Sequence, residues 1–143
     1  MNKIINCILL VDDNESDNYF STRTLRKRDN INLIRVARDG VEALEYLENK
    51  GNFSDPEENP RPNIIFLDIN MPRMNGFEFL EEYMKLETIQ HAETLITMLS
   101  TSRNPEDISK AEEFDTIADF CTKPLNNETI DRAFNSYFDK VGY

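Results

Sequence analysis

Apolar runs alternate along the chain with segments whose apolar residues recur every three or four positions, a pattern that signals repeated βα units and a parallel sheet. Five strand-like runs stand out, at 4–11, 33–37, 64–67, 95–99 and 117–121. The runs IIFL (64–67) and LITML (95–99) are nearly continuous in apolar residues, as expected of strands covered on both faces. The runs LIRVA (33–37) and IADFC (117–121) are interrupted by a charged residue, Arg35 and Asp119, which suits the two edges of a sheet. With strands 2 and 5 outermost, the pattern predicts an α/β, flavodoxin-like doubly wound (βα)5 three-layer sandwich with parallel sheet order 2-1-3-4-5.

Helices fill the intervals. Asn104, Pro105, Glu106 and Asp107 supply an N-cap, a proline at the first helical position and acids in the first turn of a helix over 104–114. The last helix carries Ile130, Phe134, Tyr137, Phe138 and Val141 on one stripe, and the third helix does the same with Phe77, Leu80 and Met84. The first helix, 16–28, has a weak stripe and bears Arg23, Arg26, Lys27 and Arg28. That basic end reads equally as a solvated helix C-terminus favoured by the dipole or as a place for a partner to dock. Gly76, after Asn75, reads as a turn residue at the start of the third helix. Residues 49–62, NKGNFSDPEENPRP, have no apolar period and predict a long surface loop, a passive insertion within one domain.

Composition narrows the choice of partner. The chain has 143 residues, the usual size of one domain, with a core expected over about 4–140 and no effector domain attached. A net charge of −11 with 30% charged residues disfavours nucleic acid or an anionic membrane surface as a direct partner. No run approaches the roughly 20 apolar residues of a membrane span, and the N-terminus offers no small-residue cleavage site, so a cytoplasmic location without membrane insertion is expected. Cys7 and Cys121 lie in strand-like runs and are expected to be buried free thiols. The sole histidine, His91, is expected in a surface loop, and Phe66, Phe77, Phe79, Phe114, Phe134 and Phe138 follow core periods.

In a doubly wound sheet, ligands sit beyond the carboxyl ends of the strands. Strand 1 ends in Asp12 and Asp13, strand 3 in Asp68, strand 4 in Ser100 and Thr101, and strand 5 in Lys123 and Pro124. Three carboxylates brought together repel strongly unless a cation or a proton offsets them. An all-oxygen donor set favours Mg²⁺ over zinc or copper, and Mg²⁺ commonly coordinates incoming phosphate. Lys123 can balance added negative charge, the Ser100 hydroxyl can bond a phosphoryl oxygen, and the carboxylate of Asp68 can attack phosphorus.

Asp12-Asp13 after an apolar strand, LDINMPRMNG around Asp68, Ser100-Thr101 and Lys123-Pro124 closely resemble the receiver domains of bacterial two-component response regulators, across essentially the whole chain. The resemblance implies that Asp68 is the phosphoacceptor. It further implies that Asp13 and Asp68 ligate Mg²⁺ or Mn²⁺ directly, that Asp12 acts through water, and that the backbone carbonyl of Asn70 completes the set. Ser100 and Lys123 would read the phosphoryl group, and the Lys123-Pro124 peptide would be cis. Phe120 falls at the aromatic switch position of strand 5, often tyrosine, and has no hydroxyl. Implied partners are a sensor histidine kinase or phosphotransfer protein and a downstream protein, the latter bound through helix 4, strand 5 and helix 5. No separate substrate is turned over. A haloacid-dehalogenase-type phosphatase would need a carboxylate where Asn70 stands, and a flavodoxin would need open backbone amides where DDNES places acids. A degenerate pseudo-receiver acting only as an interaction module is the remaining alternative, opposed by the filled reactive positions.

Overall fold

Asparagine and aspartate punctuate the chain. Asn14, Asp39, Asn75, Asn104 and Asn126 each stand just before a helix and accept a hydrogen bond from a backbone N–H of its first turn. Each such cap is worth about 1 kcal/mol. The computed structural model describes residues 3–86 and 93–142, so the expectation for His91 lies outside the described residues. In chain order the elements are β1 (Ile5–Val11), α1 (Glu15–Leu25), β2 (Ile31–Ala37), α2 (Gly40–Glu48), β3 (Ile64–Asp68), α3 (Gly76–Tyr83), β4 (Leu95–Ser100), α4 (Pro105–Ala111), β5 (Ile117–Thr122) and α5 (Asn127–Lys140).

The strands form one parallel sheet in the order β2-β1-β3-β4-β5. Every residue of β3 and β4 is buried, whereas β2 and β5 are mostly half-buried, as their sequence patterns predict. Alternate strand residues feed two apolar layers. Cys7, Leu9, Ile65, Leu67, Ile96 and Met98 pack with Tyr46, Phe77, Phe79, Leu80 and Tyr83 of α2 and α3. Ile8, Leu10, Phe66, Leu99 and Cys121 pack with Leu25 of α1 and with Ile130, Phe134, Tyr137 and Phe138 of α5. Complete burial of a side chain of this size contributes about 1.5–3 kcal/mol, so these layers dominate the fold's stability. Among the described residues, no helix is long and apolar enough to cross a membrane. Both cysteines are free and buried: the Cys7 thiol lies 3.3 Å from the Tyr46 hydroxyl, and Arg132 reaches the Cys121 sulfur at 2.8 Å.

Several local expectations are corrected. Met84, the C-cap just beyond the last residue of α3, keeps a helical backbone with its N–H donating to the Leu80 carbonyl at 3.0 Å, yet its side chain is 50% exposed and does not join the packed stripe of Phe77 and Leu80. Gly76 is the first residue of α3 and has no positive φ; a Cβ there would meet the Asp68 carbonyl oxygen at 2.5 Å. Close approach of the helix to the end of β3, not a turn, requires this glycine. Helix α1 stops at Leu25, short of the expected 28, and Arg28 reaches across to Asp131 of α5 at 2.8 Å. Ile4 precedes β1 and is 49% exposed.

The segment 49–62 is not a slack insertion. It contains a 3₁₀ turn at Gly51–Phe53, and the Phe53 ring meets Tyr46 edge-on at 5.2 Å. The Asn49 side-chain amide donates to the carbonyls of Phe53 and Asn59, the Tyr46 hydroxyl to that of Pro60 at 2.7 Å, and the Arg35 guanidinium to that of Glu58. Its order comes from hydrogen bonds to fixed backbone carbonyls, which leave no periodic apolar signature.

Candidate functional site

Parallel pairing brings the strand ends level. Val11 is opposite Leu67, Asp68 opposite Leu99, and Ser100 opposite Thr122. Asp68 and Ser100, the last residues of β3 and β4, therefore stand level with Asp12 and Lys123, the first residues beyond β1 and β5, and the Lys123 amide donates to the Ser100 carbonyl at 2.7 Å, tying the end of β5 to that of β4. The Lys123-Pro124 peptide is cis. Asp12, Asp13 and Asp68 each present an oxygen within 4.8 Å of the others. Asp12 and Asp68 are buried, while Asp13 faces solvent.

Lys123 reaches this acidic cluster at Asp12 and Asp68 and also meets Asp17 of α1. Its ammonium lies 2.7 Å from Asp12 Oδ2, 3.0 Å from Asp17 Oδ2 and 3.3 Å from Asp68 Oδ1. Burial works against the charged lysine, but hydrogen bonds to Asp12 and Asp17 and the nearby charge of Asp68 outweigh it and raise its pKa above the ordinary lysine value. Burial, followed by the charge of Asp12, pushes Asp68 up to about 6, with Lys123 offsetting only part of the rise. Asp12 is further fixed by the backbone: Asn14 N–H donates to its Oδ1 at 3.0 Å, and the Asn18 amide donates to its carbonyl at 2.8 Å.

Asp17 was not identified from the sequence. An acid in the first turn of a helix reads as a complement to the helix dipole, and only the packing of α1 over the crevice turns it toward Lys123. Ser100 is buried beside the cluster, and its Oγ accepts from the Ser102 N–H at 3.3 Å. Asn70 is exposed at the start of the loop between β3 and α3. Phe120 is half-buried, packs against the α2–α3 layer across from Met98, and accepts at its carbonyl from Arg103 at 3.5 Å. A cavity of about 330 Å³ lined by Asp12, Asp17, Phe20, Thr101, Lys123 and Pro124 adjoins the crevice on the α1 side; Asp13, Asp68 and Ser100 do not line it.

The donor set is all oxygen, concave and only partly neutralised by one lysine, which suits a hard divalent cation and a phosphate-bearing ligand. The sequence profile of the response regulator receiver domain matches residues 8–135. Response regulator Rcp1 of Synechocystis sp. is 31% identical over 106 residues, covering 74% of this chain and 69% of that one. A protein-glutamate methylesterase/protein-glutamine glutaminase of Burkholderia thailandensis is 32% identical over 82% of this chain, which spans only 29% of that relative's length. Among solved structures, a two component response regulator from Cytophaga hutchinsonii superposes with a TM-score of 0.84 at 26% identity, over 96% of this chain and 99% of that one. The Mn²⁺-bound form of Rcp1 superposes with a TM-score of 0.69 at 28% identity, over 94% and 92% of the two chains.

Proposed function

The chain belongs to the response regulator receiver domain family, and from that premise we propose that it is a cytoplasmic phosphoacceptor of a two-component or phosphorelay system, phosphorylated on Asp68. The observation that carries this reading is the placement of Asp68 at the end of β3, buried, beside two more carboxylates and 3.3 Å from Lys123. With a pKa of about 6, Asp68 is mostly ionised at neutral pH and so available as a nucleophile. An Asp68 oxygen bonds to phosphorus as the bond from phosphorus to the donor's imidazole nitrogen breaks; with acetyl phosphate the bond to acetate oxygen breaks instead. The donor is a sensor histidine kinase or a phosphotransfer protein.

The oxygen donors fit Mg²⁺, or Mn²⁺, with Asp13, Asp68 and the Asn70 carbonyl as direct ligands and Asp12 acting through water. A divalent ion bound there would offset the carboxylate charge that otherwise repels the incoming phosphoryl group. Lys123 then exchanges a carboxylate for a phosphoryl oxygen, and the Ser100 hydroxyl donates to another. Movement at the end of β4 is transmitted to Phe120, whose inward packing alters the face of α4, β5 and α5 presented to a downstream protein.

The test is intact-mass detection of phosphate after incubation with acetyl phosphate. One added phosphoryl group is expected on the wild type with Mg²⁺, and none in excess chelator or on Asp68→Asn. Undiminished labelling of the variant would place the acceptor elsewhere. A wild type that stays unlabelled with both acetyl phosphate and a kinase would favour a pure interaction module.

A further inference from the structure

Arg73, in the loop between β3 and α3, has a φ of 61°, a left-handed conformation that glycine adopts more readily than any side-chain-bearing residue. Its guanidinium forms a two-pronged contact with Asp39, Nε to Oδ2 at 2.7 Å and Nη2 to Oδ1 at 3.2 Å. Asp39 is buried and also caps α2, accepting from the Glu42 N–H at 2.9 Å. The same two loops are joined by the Gly40 N–H donating to the Met74 carbonyl at 3.0 Å. They lie so close that a Cβ on Gly40 would come within 2.6 Å of Met74 Cγ. Within the loop, Met74 N–H donates to Pro72 O at 2.6 Å, and Gly76 N–H closes it onto Ile69 O at 2.8 Å.

The loop from 69 to 76 is therefore closed at its base and anchored at its tip, with Asn70 between the two restraints. We propose that the Arg73–Asp39 fork is a positioning device for the metal site: by tying this loop to the start of α2 it holds the backbone of Asn70 in the orientation from which its carbonyl serves the cation. This rests on the reading of Asn70 as a carbonyl ligand. A guanidinium fork suits the task because its planar donors match both carboxylate oxygens and set direction as well as distance. It also accounts for an arginine at a left-handed position: the side-chain anchor compensates for a backbone that glycine would adopt without strain.

The test uses Mn²⁺ binding, followed by the electron paramagnetic resonance signal of the free ion, together with amide hydrogen exchange of residues 69–75 in metal-free buffer. Arg73→Gly relieves the backbone while removing the fork, and Asp39→Asn keeps an equally good cap while removing the charge. Each variant is expected to bind Mn²⁺ about tenfold more weakly, the loss typical of a residue that orients a metal ligand. Loop exchange should be faster in both, and the double variant should be no weaker than the worse single one, since either change breaks the same fork. Arg73→Gly with wild-type affinity and wild-type exchange would overturn the proposal alone. A wild type that binds no Mn²⁺ would overturn the ligand reading with it, and the exchange data would still separate the two failures.

Discussion

Three carboxylates share one ammonium in this crevice, and the residue left most exposed to the imbalance is Asp68. Its folded-state pKa of about 6 lies above the ordinary value of 3.8. The folded protein thus holds the Asp68 proton to higher pH than the unfolded chain does. As pH rises from about 4 to about 6 the unfolded state releases that proton first, and folding stability falls by up to about 3 kcal/mol, at 1.36 kcal/mol per pKa unit. In chelator at pH 7, Asp68→Asn should therefore be more stable than the wild type by about 2–3 kcal/mol, with the difference vanishing near pH 4. Urea titrations at the two pH values measure this, and a variant no more stable at pH 7 would show that Lys123 neutralises the cluster fully. Asp12, Asp13, Asp68, Ser100 and Lys123 were legible in the sequence because parallel strands deliver their C-terminal residues to one edge. Asp17 and the Arg73–Asp39 fork were not, since each depends on how a helix or loop is turned in space.

At the level of elements, the clearest divergence between sequence pattern and structure lies in residues 49–62. Strands and amphipathic helices announce themselves by period, and β3, β4, α3 and α5 accordingly fall close to their expected places. A segment ordered by hydrogen bonds to single carbonyls has no period to read. Tyr46 is its main anchor: the ring is buried among α2 and α3 residues while the hydroxyl donates to Pro60 O at 2.7 Å. Tyr46→Phe preserves the packing and removes the donor, so it should cost about 1–2 kcal/mol and hasten proteolytic cleavage within 49–62. If stability and cleavage are both unchanged, the segment is anchored by Phe53 and Asn49 without help from the hydroxyl.

Across the whole molecule, strand order was legible because strands buried on two faces are unbroken apolar runs, whereas the edge strands β2 and β5 are each interrupted by a charged residue, Arg35 and Asp119. The same sheet divides the interior into two layers that share strands but few side chains. Each layer contains one cysteine: Cys7 on central β1 in the α2–α3 layer, Cys121 on edge strand β5 in the α1–α5 layer. Burial, the largest influence on each, raises both thiol pKa values, so in the native state neither sulfur is accessible or ionised. The pair therefore acts as two built-in clocks, one per layer, that run only when their own layer opens. Under native conditions a thiol reagent should modify Cys121 faster than Cys7, because opening an edge strand requires less disruption than exposing a central one. Mass spectrometry of singly modified protein would identify the order. Equal rates at the two sulfurs would mean that the layers open only together, and that any signal entering through one of them is felt at once by the other.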